Sequence, residues 1–351
     1  MNDQLKQIVA PLLEWYRRCA RELSWRSDPT PYRVWVSEIM LQQTRVEAVK
    51  PYYERFMEQL PTVQALAEAE EEKLLKLWEG LGYYSRVRNL QKAAKVVMET
   101  YGGELPAEFE ELRSLPGIGE YTAGAIASIA FGKPVPAVDG NVLRVLSRVT
   151  ESRRDILNSK VKKEFSEQLR EIYPADCAGD FTQALMELGA MVCVPNGVPL
   201  CEQCPLSHCC QAFLHQTMLE LPVKAEKKPR KLEEKTVFVA LDPQNRIAVQ
   251  KRPDTGLLAG LWEFPNAEGA LTREQAAEYW KNLGVCPSSI QKLRAAKHIF
   301  THVEWKMSGY LVRLPQSADQ FVWVTKEELH GQYAVPNAYK AFLKVLAEVL
   351  G

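Results

Sequence analysis

Two carboxylates stand in unusual sequence surroundings. Glu38 lies in the apolar run Val34-Trp35-Val36-Ser37-Glu38-Ile39-Met40-Leu41, and Asp139 lies in Val138-Asp139-Gly140-Asn141, directly before a helical pattern that begins at Val142. Partial burial raises the pKa of a glutamic acid and makes it a proton donor near neutral pH. A carboxylate at the positive end of a helix stays ionised and can stabilise a cation. One neutral acid and one anion are the pair that cleavage of a glycosidic bond through an oxocarbenium-like state requires.

Each carboxylate also has a purely structural interpretation. Glu38 fits the solvent-facing side of an amphipathic helix. Asp139 fits the N-cap of the helix that follows it, where its side chain satisfies a backbone N–H. The residue types alone leave both interpretations open.

A group of cysteines points to metal chemistry. Of eight cysteines, five fall between Cys193 and Cys210, and Cys193, Cys201, Cys204 and Cys210 read C-x7-C-x2-C-x5-C. Four thiolates so close in sequence can ligate a [4Fe–4S] cluster or a zinc ion, and reduced thiols packed as small apolar groups are the third interpretation. Zinc ribbons usually carry two C-x2-C knuckles, so the single knuckle here favours iron–sulfur.

The spacing leaves the fourth ligand undecided, because the adjacent Cys209 can replace Cys210. The isolated cysteines are expected to be core residues; they are Cys19, Cys177 and Cys286.

A glycine hairpin lies between two predicted helices. A short helix over residues 108–115 is followed by Leu115-Pro116-Gly117-Ile118-Gly119 and by a helix through Tyr121 and Ile129. Backbone N–H groups at such a helix N-terminus suit a phosphate, and glycine lets the phosphate approach. A simple αα-hairpin turn is the alternative.

The spacing of the apolar residues, which predicts the elements that carry these motifs, changes once along the chain. Up to about residue 220 the apolar residues recur at helical spacing. Residues 223–235, VKAEKKPRKLEEK, have the composition of a solvated linker. Beyond it we expect strands at 236–241, at 246–251 and from Thr301, a helix over 271–284 with Thr272 and Gln275 as a capping box, and a closing helix from Tyr339. The prediction is an all-α domain over 1–222, a linker over 223–235, and an α+β domain over 236–351.

Composition narrows the class of protein. The chain has 351 residues, 46% hydrophobic and 25% charged, with 44 basic and 44 acidic residues. These are ordinary globular values, and no apolar stretch is long enough to span a membrane. A net charge of zero requires any nucleic-acid surface to be local. The beginning of the chain has no apolar signal core, so we expect a cytoplasmic protein.

Taken together, the motifs resemble a known superfamily. The hairpin, Val138-Asp139-Gly140-Asn141-Val142 and the cysteine group, in this order, are similar to the helix-hairpin-helix DNA glycosylases that carry an iron–sulfur cluster. Residues 38–44, Glu-Ile-Met-Leu-Gln-Gln-Thr, and 80–86, Gly-Leu-Gly-Tyr-Tyr-Ser-Arg, match the adenine glycosylases of the MutY family. The resemblance extends over roughly residues 5 to 345, including a MutT/Nudix-like second domain.

This resemblance implies an activity and roles for residues. The activity is removal of adenine mispaired with 8-oxoguanine or guanine in duplex DNA, by base flipping, in base excision repair. Glu38 would protonate the adenine at N7, and Asp139 would stabilise the sugar cation or bond to it transiently. Tyr121 and Asn141 would position that carboxylate and the sugar. The implied cofactor is a [4Fe–4S] cluster on Cys193, Cys201, Cys204 and Cys210, although the family usually has six rather than seven residues between the first two ligands.

The resemblance also implies which residues bind DNA. The pocket would be lined by Arg26, Leu41, Gln42, Gln43 and Thr44. Gln43 and Tyr83 would wedge into the base stack, and the hairpin glycines Gly117 and Gly119 would meet a phosphate. The loop Phe300-Thr301-His302 corresponds to the family's Phe-Ser-His loop that reads the lesion; threonine keeps the hydroxyl but adds a methyl.

At two places the sequence differs from the motifs of related enzymes, and each difference removes one activity from the expected function. Bifunctional members of the superfamily carry a lysine after the hairpin that attacks the sugar; here the position is Tyr121, so we expect a monofunctional glycosylase that leaves an intact abasic site. The run Arg273-Glu274-Gln275-Ala276-Ala277-Glu278 has alanine where a Nudix hydrolase needs a glutamate, so we expect no nucleotide hydrolysis.

Three other functions compete with this reading. They are an endonuclease III-like glycosylase/lyase, a non-catalytic iron–sulfur DNA-binding protein, and a Nudix hydrolase. We expect a monomer in a bacterial cytoplasm, associated with the nucleoid through DNA and with no membrane partner.

Overall fold

The computed structural model describes residues 2–225 and 229–351. The chain divides into two compact units. The first comprises residues 1–68 and 88–226, and the second comprises residues 69–87 and 227–351. No helix in the described parts of the chain combines the length and apolar character needed to cross a bilayer.

Helices build the first unit. In chain order the α-helices up to the second unit's sheet are α1 (Asn2–Lys6), α2 (Val9–Cys19), α3 (Ser24–Ser27), α4 (Pro31–Leu41), α5 (Val46–Gln59), α6 (Val63–Glu68), α7 (Glu71–Leu77), α8 (Ser85–Tyr101), α9 (Phe109–Ser114), α10 (Glu120–Phe131), α11 (Gly140–Val149), α12 (Ser159–Arg170), α13 (Ala178–Met191) and α14 (Gln211–Leu214). Short 3₁₀ turns lie at Ala175–Cys177 and Cys201–Gln203. Helix α7 belongs to the second unit, and the boundary between residues 87 and 88 lies within α8.

The helices that carry the predicted site begin and end at residues of the types that favour helix termini. Thr30 caps α4 and Pro31 occupies its first turn, where a missing N–H costs nothing. Helix α10 ends at Gly132, whose φ of 66° is the left-handed conformation that glycine adopts easily. Asp139 caps α11 by accepting the N–H of Val142. The N-cap interpretation of Asp139 is therefore confirmed.

One core of the first unit lies where α2, α11, α12 and α13 meet. It is formed by large apolar side chains with almost no exposure, among them Leu12, Val142, Leu146, Phe165, Leu169, Phe181 and Leu185. Helix α10 is buried along most of its length, from Thr122 to Ser128. A Cβ on Gly124 would clash with the carbonyl oxygen of Pro136, so glycine is needed for the close packing of α10.

A mixed sheet organises the second unit. Its strands are β1 (Lys231–Leu241), β2 (Ile247–Lys251), β3 (Trp262–Glu263), β4 (Asn266–Glu268), β5 (Ser289–Ile299), β6 (Val303–Arg313) and β7 (Val322–Val324). The order is β3-β2-β1-β6-β5, with β4 on β1 and β7 on β2. Strands β1 and β6 pair in parallel, and the other pairs are antiparallel.

Helices cover both faces of this sheet. The further helices are α15 (Arg273–Asn282), α16 (Lys326–Gly331) and α17 (Lys340–Val349). One face packs Val237, Trp305 and Met307 against Phe342 of α17. The other packs Phe238 and Tyr310 against Trp280 of α15. The α+β prediction is confirmed, and so is the capping box between Thr272 and Gln275.

Three details differ from the sequence analysis. Strand β1 begins at Lys231, so the last five residues of the expected linker are strand. They pair with β6 and are exposed or half-buried, which suits their polar composition. Residues 226–228 of the same linker lie outside the described residues. The alternating strand begins at Val303 rather than Thr301, so Thr301 and His302 lie in the turn after β5. The expectation that Cys19 and Cys286 are core residues is wrong, because both are exposed.

Candidate active site

Glu38, Tyr121, Asp139 and Asn141 line one cavity of the first unit, with a volume of about 600 Å³. They reach it from α4, from the first turn of α10 and from the beginning of α11. The four residues that the sequence analysis assigned to catalysis are therefore brought together. Arg26, Leu41 and Thr44 line the same cavity.

Glu38 is buried, with 5% of its surface exposed. Burial raises its pKa to about 7, and the nearby charge of Asp139 adds to the rise. The hydroxyl of Tyr121 donates a hydrogen bond of 2.5 Å to Oε2 of Glu38 and opposes it. The solvent-facing interpretation of Glu38 is therefore wrong: this acid exchanges its proton near neutral pH.

Asp139 is held by two hydrogen bonds of 2.7 Å. The backbone N–H of Val142 donates to Oδ1, and the side-chain amide of Asn141 donates to Oδ2. Burial raises the pKa of Asp139, and these two donors, together with Arg144, oppose the rise. Both oxygens have fixed donors, so the orientation of the carboxylate is set by the α11 N-terminus.

Arg144 connects Asn141 with the cysteine segment. Its Nη2 donates to Oδ1 of Asn141 at 2.8 Å and to the carbonyl of Gly189 at 2.6 Å, and its Nε donates to the carbonyl of Cys193 at 2.7 Å. The side-chain oxygen of Asn141 thus accepts a hydrogen bond from Arg144, and its NH₂ group donates one to Asp139. A Cβ on Gly189 would stand 2.6 Å from the Cβ of Asn141, so the close approach of α13 requires glycine.

A buried acid that the sequence analysis missed also lines the cavity. Glu187 is 1% exposed and accepts hydrogen bonds from Arg21 Nε at 2.7 Å and Arg26 Nη2 at 2.8 Å. Although burial alone would raise its pKa, these arginines hold it at about 2. Glu187 lies in the apolar run Ala184-Leu185-Met186-Glu187-Leu188, the same signal that singled out Glu38.

Four residues that the resemblance assigned to DNA binding lie at the end of α4 and in the glycine hairpin. Gln42 is the C-cap of α4, and its side chain donates to Thr122 at 3.3 Å rather than lining the cavity. Gln43 is exposed and has a φ of 59°, a left-handed backbone that few non-glycine residues adopt. In the hairpin, Gly117 has a φ of 77°, and Gly119 is the N-cap of α10 with no side-chain acceptor. The first N–H groups of α10 are therefore not capped by a side chain.

Tyr83 and the Phe300–His302 turn meet in the second unit. The ring of Tyr83 is 46% exposed, its φ is 49°, and its hydroxyl lies 2.9 Å from Oγ1 of Thr301. Phe300 packs edge-to-face on Trp305, whereas Thr301 and His302 are exposed. Two segments that were singled out for DNA on separate sequence grounds are thus hydrogen-bonded neighbours.

The thiols of Cys193, Cys201, Cys204 and Cys210 line one cavity of the first unit. Cys209 does not line it; it is buried, with its thiol directed to the carbonyl of Leu206. Burial raises the pKa of Cys204 to about 12 and that of Cys210 to about 11, and proximity to other thiols of this set adds to both. Among the described residues, no three potential ligands converge as closely as a single metal ion needs. Cys210 therefore lies with the other three thiols at this cavity, and Cys209 does not.

The helical unit and its acid-lined cavity define the class of protein as a helix-hairpin-helix DNA glycosylase. The model of the HhH-GPD superfamily of base excision DNA repair proteins matches residues 36–171, and that of the NUDIX domain matches residues 236–345. A thermostable thymine-DNA glycosylase is 28% identical, with a TM-score of 0.54 over 61% of this chain and 98% of that one. Endonuclease III in a trapped covalent intermediate with DNA is 26% identical, with a TM-score of 0.53 over 62% and 98%.

Curated relatives narrow the class to one family. The adenine DNA glycosylase of Mus musculus is 37% identical over 95% of this chain and 76% of its own length. Those of Homo sapiens and Schizosaccharomyces pombe are 36% and 33% identical over 95% and 93% of this chain, and 73% and 86% of their own lengths. The chain belongs to the adenine DNA glycosylase family, which hydrolyses the N-glycosidic bond of adenine in base excision repair.

Proposed function

We propose that the protein releases adenine paired with 8-oxoguanine or guanine in duplex DNA and leaves the sugar–phosphate strand intact. The observation that carries this proposal is the hydrogen bond from Tyr121 to Glu38, an acid with a pKa of about 7, in the cavity that also contains Asp139. A proton donor and a second carboxylate in one cavity are what acid-assisted glycosidic cleavage needs.

Glu38 acts as the general acid. It donates its proton to N7 of the flipped adenine, so that the C1′–N9 bond can break with its electron pair leaving on a neutral base. The carboxylate that forms keeps the hydrogen bond from Tyr121 and gains the attraction of Arg26, which lowers the pKa of Glu38. Both interactions stabilise the carboxylate form of Glu38, so transfer of its proton to the adenine is favoured.

Asp139 stabilises the positive charge that develops on the sugar, as a carboxylate or through a transient bond to C1′. Burial raises its pKa in the free protein, and a cation beside it lowers the pKa again. Water then adds at C1′, displacing Asp139 where a bond to it has formed, and gives its proton to the carboxylate of Glu38, which leaves an abasic site. Asn141 is a positioning residue, since its amide holds one oxygen of Asp139.

The chemistry stops at the abasic site because the position after the hairpin is Tyr121 and not an amine. None of the described residues that line the cavity is a lysine, so the cavity offers no ε-amino group for a Schiff base. This distinguishes the proposal from a glycosylase/lyase.

The second unit reads the base opposite adenine. Thr301 presents a hydroxyl at an exposed turn, and Tyr83 presents an exposed ring beside it, suited to stacking and to hydrogen bonding with an altered purine edge. Gln43 offers a second wedge from α4. The uncapped N-terminus of α10 after Gly119 suits a DNA phosphate.

The cysteine cavity suits a [4Fe–4S] cluster held by Cys193, Cys201, Cys204 and Cys210. When bound, the cluster supplies four iron–thiolate bonds that cross-link the segment after α13. Through Arg144, the carbonyl of Cys193 supports Asn141 and hence Asp139. A bound cluster would hold the Cys193 end of this chain of hydrogen bonds, and Arg144 and Asn141 position the carboxylate of Asp139.

A single-turnover assay tests the proposal. A duplex with one adenine opposite 8-oxoguanine, labelled on the adenine strand, is incubated with cluster-loaded protein and analysed with and without alkali. We expect strand breaks after alkali treatment alone. Breaks without alkali would show that an amine attacks the sugar and that the protein is a glycosylase/lyase.

Failure to release the base has its own meaning. If the cluster-loaded protein binds the lesion duplex and releases no adenine, and Glu38→Gln binds equally well, the protein is a DNA-binding protein without glycosylase activity. Turnover of nucleoside triphosphates with Mg²⁺ would instead favour a Nudix hydrolase.

A further inference from the structure

Arg86 in the first turn of α8 contacts the loop that carries Tyr83. Its Nη2 donates to the carbonyl oxygens of Leu81 and Gly82, at 3.1 and 3.0 Å. Its guanidinium carbon lies 5.3 Å from the ring centroid of Trp78 and 5.7 Å from that of Tyr83. Arg86 thus contacts both the backbone of this loop and the face of the ring that it presents.

The loop requires such support because its backbone is in an unfavourable conformation. Gly80, Gly82 and Tyr83 all have positive φ, at 104°, 71° and 49°. Glycine adopts these values freely, whereas the left-handed region is strained for a tyrosine and needs compensating contacts. Besides the two bonds from Arg86, the indole of Trp78 donates to the carbonyl of Gly82 at 3.1 Å. These contacts support the loop in the conformation in which the hydroxyl of Tyr83 lies 2.9 Å from Thr301.

Arginine suits this task better than lysine. Its planar group can donate to two carbonyls and stack on aromatic rings at once, while an ammonium group is a point donor. Burial lowers the pKa of Arg86 to about 10, so the side chain remains charged at neutral pH. The half-buried position of Arg86 is in keeping with its contacts to the loop.

We propose that Arg86 is a positioning residue for lesion recognition: it fixes the Gly80–Tyr84 loop so that the ring of Tyr83 is poised to enter the base stack and its hydroxyl stays paired with Thr301. This rests on the proposed role of Tyr83 in the adenine glycosylase reaction. Arg86 acts through Tyr83 and leaves the cavity chemistry of Glu38 and Asp139 unchanged. Its effect therefore falls on binding of the lesion and on discrimination between 8-oxoguanine and guanine.

The test is a double-mutant cycle on DNA affinity. Full-length, cluster-loaded protein is prepared as the parent, Arg86→Lys, Tyr83→Ala and the double variant. Affinity is measured on a duplex with 2′-deoxy-2′-fluoroadenosine opposite 8-oxoguanine, because the fluorine prevents release of the base. Lys92→Gln is the control, since Lys92 is an exposed cation on the same helix.

We expect Arg86→Lys to weaken binding about tenfold in the parent and less than about twofold in Tyr83→Ala, as coupled neighbours do. With 2-aminopurine beside the lesion, the fluorescence rise that reports unstacking shrinks in Arg86→Lys. The single-turnover rate at saturating enzyme on adenine opposite 8-oxoguanine stays within about twofold of the parent, since the cavity residues are intact. Lys92→Gln matches the parent in all three measurements.

Additive losses in the cycle would overturn the proposal, and so would an Arg86→Lys protein that binds and unstacks the lesion as the parent does. A fall in the single-turnover rate with unchanged affinity would also overturn it, because it would place Arg86 in the chemistry. Thermal unfolding of Arg86→Lys identifies a general loss of folding, in which case Arg86→Gln and Arg86→Met are compared at a temperature where each is folded. Failure of the parent to release adenine from an unfluorinated duplex is a separate result that concerns the proposed function alone.

Discussion

The hydroxyls of Tyr83 and Thr301 lie 2.9 Å apart, although 218 positions separate the two residues in the chain. One belongs to a loop before α8, the other to the turn between β5 and β6. Both lie in the second unit, which residues 69–87 join despite their position inside the helical half of the sequence. The proposed wedge, Tyr83, and the hydroxyl proposed to read the lesion, that of Thr301, are therefore parts of one folded unit.

The first prediction concerns that hydroxyl pair. Thr301→Val keeps the shape of the side chain and removes the hydrogen bond, so we expect the preference for adenine opposite 8-oxoguanine over adenine opposite guanine to fall about tenfold, the value of one lost hydrogen bond. Thr301→Ser is the matched control and should retain the preference. The measurement is the ratio of single-turnover rates on the two duplexes. Equal ratios in Thr301→Val and Thr301→Ser would show that the hydroxyl does not read the lesion.

The second prediction is a pH profile. Glu38 must be protonated to act, and its pKa is raised from 4.5 to about 7, so the single-turnover rate should be highest below pH 7 and fall about tenfold per pH unit well above it. Tyr121→Phe removes a hydrogen bond that lowers this pKa, so the falling limb should move to higher pH. The rate is followed from pH 5 to 9. A profile that does not fall above pH 7, or a shift to lower pH in Tyr121→Phe, would contradict the assignment of Glu38 as the acid.

The third prediction uses the contact between Gly189 and Asn141. In Gly189→Ala the new Cβ would stand 2.6 Å from the Cβ of Asn141, so Asn141 must move and Asp139 loses an aligned donor. We expect the single-turnover rate to fall about 10- to 100-fold, the cost of about 1–3 kcal/mol for a misplaced hydrogen-bond partner. Gly331→Ala, where a Cβ has nothing within 4 Å, is the control and should leave the rate unchanged. An unchanged rate in Gly189→Ala would mean that the cavity tolerates displacement of Asn141.

The fourth prediction separates the two adjacent cysteines. Cys210 lines the thiol cavity and Cys209 packs in the core, so Cys210→Ser should lose most bound iron and Cys209→Ser should retain it. Iron and sulfide content and the visible absorption of the purified variants are the measurements. Retention of a full cluster in Cys210→Ser with loss in Cys209→Ser would reverse the assignment.

Local sequence patterns predicted the elements that carry the candidate site. Helix α4 with its internal acid, the N-cap at Asp139, the glycine hairpin and the capping box at Thr272 all arise from interactions within a few residues. Such interactions are readable from local spacing. The cysteine spacing likewise limited the ligand set to two choices.

Tertiary structure decided what depends on contacts between distant segments. It buried Glu38 and so moved its pKa, paired Glu187 with Arg21 and Arg26, and joined Arg144 to Asn141 and Cys193. It also placed Cys210, and not Cys209, at the thiol cavity and brought Tyr83 to Thr301. Burial and long-range hydrogen bonds exist only in the folded chain. The desolvation of a side chain is set by the residues packed around it and not by its neighbours in sequence.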